Sequence, residues 1–313
     1  GYTRAMCMWN IHQWNYSYPT PGGRPVTFSW TSTMSNWNPH FMYNYFEEWT
    51  GCYSWDRLYT IEITPEGTID ECAMLAAKRL EDCTWINDTC VEIPIRDDVW
   101  WVYWDGAKVV NTTEKLTAYD VEMSYKAILD PATGDVGYYE LAPFVEDAKA
   151  LNDTCIQLKL TSPCSIPMLE CILSNDWGMM ILPEAIMGGI PHEDWYTHET
   201  NRDPFKIWYN GPFVPTYWKT DEKVDLVANP YYYLGKHPFK TFEQRVITDP
   251  TIALAALEKG ELDRAIGMTP TLADIERMKK NPELSVYLAE LPGTEFIALN
   301  LHHPALTNRY VRQ

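Results

Sequence analysis

The segment from Asp105 to Ile128 combines a turn with a capped amphipathic helix. Asp105-Gly106 is a turn pair, and Thr117 followed by Asp120 has the pattern of a capping box. Apolar residues then recur at three- and four-residue spacing up to the stop at Asp130-Pro131, namely Ala118, Val121, Tyr125, Ile128 and Leu129. The segment therefore predicts a helix with one face docked on a core and nothing chemically reactive on that face.

The composition is that of a folded globular protein. The 313 residues are 46% apolar and 22% charged, and they are enough for two domains. No run approaches the roughly 20 apolar residues that a membrane-spanning helix needs, and no signal-sequence pattern follows Gly1, so we expect a soluble, processed chain. The net charge of -18 makes nucleic acids and anionic lipid surfaces poor partners.

Strand-like and helix-like patterns alternate along the chain. Val26 to Thr31 reads as a strand, whereas Ile69 to Glu81 has helical spacing. Helices are also predicted from Ser165 to Leu173, from Thr251 to Lys259 and from Thr271, where Asp274 completes a second capping box, and a hairpin from Leu284 to Leu301 turns at Pro292-Gly293. This alternation indicates a mixed α/β fold.

The cysteines and sequons favour a location outside the cytoplasm. None of the eight cysteines is spaced as CxxC, so disulfides are the better interpretation, with buried free thiols in a reducing compartment as the alternative. Cys83 and Cys90 flank a short turn between two strand-like runs, which predicts a local bridge. Glycosylation is predicted at four acceptor sequons, at Asn15, Asn87, Asn111 and Asn152.

The helix segment also resembles the oligopeptide- and dipeptide-binding class of extracellular solute-binding proteins, which serve ABC transporters. The matching residues are Trp104, Asp105, Gly106, Leu116, Thr117, Ala118, Asp120, Val121 and Ser124. Further matches follow in the family's order, at Asn38-Pro39-His40, Asn210-Gly211-Pro212-Phe213, Asn229-Pro230-Tyr231-Tyr232, Gly260-Glu261-Leu262-Asp263, Leu299-Asn300 and Val311-Arg312-Gln313. The resemblance covers roughly Val26 to Gln313.

This resemblance implies a periplasmic-binding-protein-like α/β fold of type II, cluster C. Residues 1–55 and 181–300 would form a split first lobe, with residues 56–180 as an inserted α/β domain. Residues 301–313 would enter a second lobe that is largely missing, so we expect the biological polypeptide to be longer than this chain.

The resemblance also implies a ligand site. The segment after the Asn-Pro turn lines the cleft in relatives, which indicates Tyr43 and Tyr45, and we add Trp37. Corresponding cleft segments elsewhere contain Tyr138, Asp176 and Trp177 in the insertion, and Gly267, Met268 and Phe296 in the first lobe. Any single aromatic residue could instead be buried in the core rather than contact a ligand. The chain has 14 Trp, 20 Tyr and 9 Phe to distribute between these two roles.

Patterns of metal binding and catalysis are weak. The cluster from His192 to Glu199 is not spaced as HExxH, and His302-His303 reads as a solvated pair, so we predict no metal and no cofactor. Glu47-Glu48 does not make a catalytic pair, because adjacent side chains point in different directions. Without a GxSxG elbow, a P-loop or a dinucleotide fingerprint, the sequence predicts no enzyme.

The sequence therefore predicts a secreted or surface protein that captures an oligopeptide or oligosaccharide between two lobes and delivers it to an ABC permease. The tryptophan count slightly favours a sugar ligand. We expect anchoring to the membrane through a segment outside this chain. The alternative is a solute-binding fold reused as a structural or adhesive cell-surface component. The aromatic arm at residues 1–25 would then mediate subunit contacts in a homo-oligomer.

Overall fold

The computed structural model describes residues 25–63, 69–175, 178–235, 237, 239–268, 270–284, 286 and 299–312. The strands in these ranges are β1 (Val26–Trp30), β2 (Tyr59–Ile63), β3 (Ile69–Ala73), β4 (Thr84–Asn87), β5 (Cys90–Pro94), β6 (Trp100–Trp104), β7 (Val109–Lys115), β8 (Val145–Asn152), β9 (Cys155–Leu160), β10 (Phe213–Lys219), β11 (Lys223–Ala228), β12 (Thr241–Val246) and β13 (Arg264–Ala265). The helices are α1 (Tyr45–Ser54), α2 (Ala118–Leu129), α3 (Tyr138–Leu141), α4 (Ile166–Leu173), α5 (Glu184–Met187), α6 (Pro250–Glu258) and α7 (Leu272–Lys279). The predicted mixed α/β class is confirmed.

The largest sheet has the strand order β10-β11-β12-β1-β13. β1 runs parallel to both of its neighbours, β12 and β13, whereas β10, β11 and β12 pair in antiparallel fashion. Helix α1 covers one face, where Trp30 stacks on Phe46 with ring centroids 5.4 Å apart. Because β12, β1 and β13 are parallel, their carboxyl ends lie at one edge of the sheet, the usual position of a ligand crevice in such folds.

A second, antiparallel sheet has the order β4-β5-β9-β8, and α2 packs on β8 and β9. The predicted capping box at the start of α2 is confirmed: Thr117 and Asp120 exchange both hydrogen bonds. Val121, Tyr125 and Ile128 are fully buried, as the spacing predicts. Burial of this apolar face supplies most of the stability of a helix of this length.

Two polar residues of α2 also hold the chain segment that leads back toward the large sheet. The Asp120 carboxylate accepts a 2.7 Å hydrogen bond from the Glu184 amide, and the Ser124 hydroxyl accepts one of 2.9 Å from the Leu182 amide. These bonds satisfy backbone donors where the chain returns from residues 59–160, which lie in sequence between the strands of the large sheet and which we call the inserted segment. Two of the residues that carry the family resemblance therefore have a structural role.

Asp56 lies where the chain leaves α1 for the inserted segment, and it is buried. Its amide donates to Asn210 Oδ1 at 2.8 Å, and its carbonyl accepts from the Ile181 amide at 3.0 Å. Its carboxylate accepts from the hydroxyls of Tyr232 at 3.0 Å and Tyr233 at 2.7 Å. Both connections to the inserted segment therefore meet at this one residue.

The glycine of the Asn210-Gly211 pair is required by close backbone packing. A Cβ atom on Gly211 would lie 2.6 Å from the Ser54 carbonyl carbon, which is closer than real Cβ contacts. Asn229 Nδ2 also donates to the Gly211 carbonyl at 2.9 Å and so helps to hold Gly211 in place. This packing explains the Asn-Gly sequence at the junction.

The structure corrects one helix and one disulfide. The region predicted as a helix from Ile69 to Glu81 begins with strand β3, which pairs with β2. The β4–β5 register places Asn87 opposite Cys90, so Cys83 lies ~10 Å away along the ladder, too far for a bridge. Cys83 Sγ instead donates to the Arg79 carbonyl at 3.3 Å, and Cys90 is a free thiol.

The other predicted helices are confirmed as α4, α6 and α7, the last with its capping box at Thr271 and Asp274. The strands of the large sheet come from residues 26–30 and 213–265, and β2 to β9 come from residues 59–160. The domain boundaries and the entry to a second lobe stay predictions. The Pro292-Gly293 turn and residues 1–24 of the aromatic arm lie outside the described residues. In the described part of the chain, no helix combines the length and apolar character needed to span a bilayer.

Candidate functional site

The segments that follow β1 and β13 touch at the carboxyl edge of the large sheet. Thr31 Oγ1 donates to the Gly267 carbonyl at 3.3 Å. Gly267 has φ +74°, and a Cβ atom there would lie 2.5 Å from Thr31 Oγ1. Gly267 is exposed and Met268 is half-buried. Glycine is therefore needed here both for its backbone conformation and for the close approach to Thr31.

The segment after β1 is held from below by Glu47 of α1. Its Oε1 accepts the amides of Ser35 at 2.7 Å and Asn36 at 2.9 Å, and its Oε2 accepts the amide of Tyr43 at 2.9 Å. Asn44 caps the same helix by accepting from the amide of Glu47. Glu47 thus orders both ends of the segment from Ser35 to Tyr43, which sequence reasoning did not foresee.

Tyr43 stands at the end of that segment with 57% of its surface exposed. Its hydroxyl donates to the carbonyl of Gly134 at 3.3 Å, which tethers the ring to the inserted segment. Partial burial, and then the negative charge of Asp135, raises the pKa of the Tyr43 phenol above its usual value. The hydroxyl therefore stays protonated and remains a donor at neutral pH.

Below Tyr43, His40 and Asp135 form a buried pair through Nδ1 and Oδ2, and Trp195 packs edge-on against the imidazole. The amide of Val136 donates to the His40 carbonyl at 3.0 Å, and Asp135 Oδ1 accepts from the Gly137 amide at 2.6 Å. The segment from His40 to Tyr43 is therefore joined to the inserted segment at residues 134–137. We call Tyr43, together with residues 134–138 of the inserted segment, the Tyr43 surface.

Two more tyrosines follow Gly134, the residue to which Tyr43 is bonded, within five positions of the chain. Tyr138 is half-buried, and the ring of Tyr139 packs edge-on against it with centroids 5.2 Å apart. Tyr139 is 83% exposed and was missed by sequence reasoning, although its position after Gly137-Tyr138 was a usable signal. Gly178 packs against Asp135 and Gly137, since a Cβ there would lie 2.6 Å from Asp135 Oδ1.

Trp37 does not belong to this surface. Its side chain is fully buried, its Nε1 donates to the Tyr209 hydroxyl at 2.6 Å, and its ring packs against Trp55 and Trp218. Trp37 is a core residue, so its prediction as a ligand contact was wrong. The alternative, that an aromatic residue is buried in the core, applies to Trp37.

The remaining predicted site residues are not brought to the Tyr43 surface by any described contact. Tyr45 is the first residue of α1, and its role stays a prediction. Asp176, Trp177 and Phe296 lie outside the described residues.

The sequons and the histidine cluster are also placed. Asn87 and Asn152 are exposed at turns, Asn111 is half-buried, and Asn15 lies outside the described residues, so glycosylation stays a prediction. His192 Nδ1 lies 2.8 Å from Asp130 Oδ2 in a partly exposed pair. Among the residues that the structure describes, no group of three or more His, Cys, Asp or Glu side chains is arranged to hold a metal ion.

The arrangement is suited to contact rather than to bond making. It offers an exposed tyrosine ring, a pair of packed tyrosines and an exposed glycine backbone at a sheet edge. Its two carboxylates, Glu47 and Asp135, are occupied by amides and by His40. Surfaces of this kind bind ligands with little loss of side-chain entropy.

A sequence model of the family described as bacterial extracellular solute-binding proteins, family 5 Middle, matches residues 81–313. The probable di/tripeptide-binding protein 5 of Pseudomonas aeruginosa is 25% identical over 224 residues, which cover 68% of this chain and 40% of that protein. The match accounts for most of the chain but less than half of the relative.

Two solved structures share the fold. The oligopeptide-binding protein AppA from Bacillus subtilis, in complex with a nonapeptide, has a TM-score of 0.66 at 19% identity, covering 83% of this chain and 46% of that one. The ABC transporter-associated periplasmic binding protein DppA from Helicobacter pylori, in complex with the peptide STSA, has a TM-score of 0.68 at 20% identity, covering 83% and 49%. This chain therefore spans less than half the length of each of these proteins.

Proposed function

We propose, from the premise that this chain belongs to family 5 of the bacterial extracellular solute-binding proteins, that it forms one wall of a peptide-binding cleft. Proteins of this family are extracytoplasmic substrate-binding components of ABC importers and not enzymes. The relatives named above are a di/tripeptide-binding protein and two proteins solved with peptides. Their names support a peptide as the ligand of this chain.

The observation that carries the proposal is the tethered, exposed ring of Tyr43. A ring that is already fixed by its hydroxyl to Gly134 loses little freedom when a ligand covers it. Ser32 Oγ donates to Asn44 Oδ1 at 3.3 Å, which connects this ring to the Thr31–Gly267 edge through consecutive residues. A peptide lying along this line would meet an aromatic face and then an exposed backbone.

The burial of several tryptophan side chains weakens the case for an oligosaccharide ligand. Five of them are fully or almost fully buried, namely Trp30, Trp37, Trp55, Trp101 and Trp195. Indole faces enclosed in the core cannot stack on a pyranose ring. The tryptophan count therefore overstates the indole area that is open to an oligosaccharide, and we favour peptides.

In the proposed mechanism, a second lobe outside this chain closes over the peptide. A ligand that bridges both lobes stabilises the closed state through its higher affinity for that state, and closure excludes water from its polar contacts. The closed form then delivers the peptide to an ABC permease. Anchoring to the membrane through a segment outside this chain is part of the same proposal.

The test uses the longest natural polypeptide that carries this sequence. Native mass spectrometry of gently purified protein is expected to detect a retained peptide of a few residues, and calorimetry with a mixture of two- to nine-residue peptides is expected to measure its binding. Tyr43→Ala should weaken binding about tenfold, which corresponds to about 1.4 kcal/mol. Tyr217→Ala is the matched control, because Tyr217 is an exposed tyrosine on β10, at the opposite edge of the sheet from β13.

Retention of an oligosaccharide, or binding that responds equally to both tyrosine variants, would contradict this proposal. Polymers of the purified protein in electron micrographs, without peptide binding, would support the structural or adhesive alternative instead.

A further inference from the structure

Three contacts connect the segment from His40 to Tyr43 with residues 134–136 of the inserted segment. They are the His40–Asp135 pair, the hydrogen bond from the Val136 amide to the His40 carbonyl, and the hydrogen bond from Tyr43 to the Gly134 carbonyl. The two segments are 95 residues apart in sequence. Only the contact made by His40 and Asp135 uses side chains that are both completely buried.

Both ring nitrogens of His40 face acceptors. Nδ1 contacts the Asp135 carboxylate, and Nε2 lies 3.1 Å from the carbonyl of Met180. The Met180 carbonyl can only accept, so Nε2 carries the hydrogen of that contact, and the other ring nitrogen is bonded to Asp135. Both nitrogens of this buried ring therefore have a partner, and losing either contact would leave a polar atom unpaired away from water.

Two further partners of His40 and Asp135 come from different parts of the chain. Met180 lies at the return connection from the inserted segment, and Gly137 immediately precedes Tyr138. A change in the position of either side chain would therefore move the support of Tyr43 and of Tyr138 together.

We propose that His40 and Asp135 are a positioning pair that holds Tyr43 and the segment 134–138 as one rigid ligand-binding surface. The effect of this pair on peptide affinity rests on the proposed function. Neither residue touches the ligand, since both side chains are buried. They act through Tyr43, whose ring can serve as a fixed contact only while Gly134 stays in place.

A double-mutant cycle tests this pair in the longest natural polypeptide. Asp135→Asn keeps the size of the side chain and an acceptor for the Gly137 amide but replaces the oxygen that contacts His40 Nδ1 with an amide nitrogen. It should weaken peptide binding at least fivefold in the otherwise unchanged protein and less than twofold in a Tyr43→Ala background. A purely structural role would give the same factor in both backgrounds.

The matched control is Asp130→Asn. Asp130 pairs with His192 in a second histidine–aspartate contact, but its side chains are 28% and 39% exposed and it does not contact the segment from His40 to Tyr43. This variant should change peptide affinity less than twofold in both backgrounds. An equal effect of the two asparagine variants would overturn the proposal.

Hydrogen exchange of the ligand-free protein separates this inference from the proposed function. Asp135→Asn should accelerate exchange at the amides of Val136 and Gly137 together, because these amides donate to His40 and to Asp135, and Asp130→Asn should not. If the wild-type protein binds no peptide, the proposed function fails while this experiment still decides whether the pair holds the two segments. If Asp135→Asn does not fold, exchange in the wild-type protein is used: loss of protection at Val136 without loss at Gly137 would overturn the pair as their common support.

Discussion

Replacing Asp56 by asparagine is expected to remove a pH dependence from the stability of this protein. Asp56 is 2% exposed at the junction where both connections to the inserted segment meet. Burial raises the pKa of its carboxyl group from 3.8 to about 7, against the opposing effects of hydrogen bonds from Tyr233 and Tyr232 and of the charge on Arg57. The folded protein therefore keeps this proton at pH values where the unfolded chain has released it.

The sign and size of the effect follow from this difference. Below pH 3.8 the group is protonated in both states, and above about pH 7 it is ionised in both. Between these values only the folded state holds the proton, so its stabilisation is lost as the pH rises, at about 1.4 kcal/mol per pH unit. Over the whole window the wild type should lose about 4 kcal/mol of unfolding free energy relative to Asp56→Asn.

Urea unfolding followed by tryptophan fluorescence at intervals from pH 4 to pH 8 measures the two proteins side by side. The difference between their free energies of unfolding removes the contributions of all other titrating groups. Tyr233→Phe is a second variant: it removes a 2.7 Å hydrogen bond that favours the ionised form, so the slope should extend to higher pH. A difference between wild type and Asp56→Asn that stays constant from pH 4 to pH 8 would refute the reasoning.

Three further substitutions test other parts of the fold. Trp37→Ala should destabilise the protein by about 3–5 kcal/mol in urea titrations, while the peptide affinity of the folded fraction stays within twofold, because Trp37 is a core residue. Thr117→Ala should cost about 1 kcal/mol, since it breaks the capping box with Asp120, and a change below about 0.3 kcal/mol would count against that role. Gly211→Ala should lower the melting temperature by several degrees, because its methyl group would meet the Ser54 backbone, and an unchanged melting temperature would contradict this packing.

The helices that could be predicted from the sequence are specified by residues that lie close together in the chain. Thr117 with Asp120 and Thr271 with Asp274 form capping boxes, and the apolar spacing that follows Thr117 matches the buried face. The segment that begins at Ile69 was predicted wrongly because its spacing is compatible with a helix, whereas pairing with β2 makes it a strand. Tertiary pairing overrides a short local pattern, and the sequence alone does not contain the partner.

The exposure of aromatic residues was harder to predict than the helices. Trp37 and Tyr43 lie on either side of the Asn38-Pro39 turn and carry similar local signals. Trp37 is buried because its indole nitrogen bonds to Tyr209, 172 residues away, and Tyr43 is exposed because its partner Gly134 binds only the hydroxyl at the ring's edge. Which aromatic residue faces solvent is thus decided by distant residues, and a family resemblance can indicate the segment but not the side chain.

The residues that carry the family resemblance explain why it indicates the fold better than the ligand. Asp120 and Ser124 bind amides of the return connection, and Asn210 binds the amide of Asp56. These bonds fix where the inserted segment joins the large sheet, and none of them involves an exposed group of the Tyr43 surface. A chain can therefore keep these residues while Tyr43, Tyr138 and Tyr139 change, and under the proposed function such changes would alter the ligand. On this reasoning, substitutions at the junction should alter stability and its pH dependence, whereas substitutions on the Tyr43 surface should alter which peptides bind.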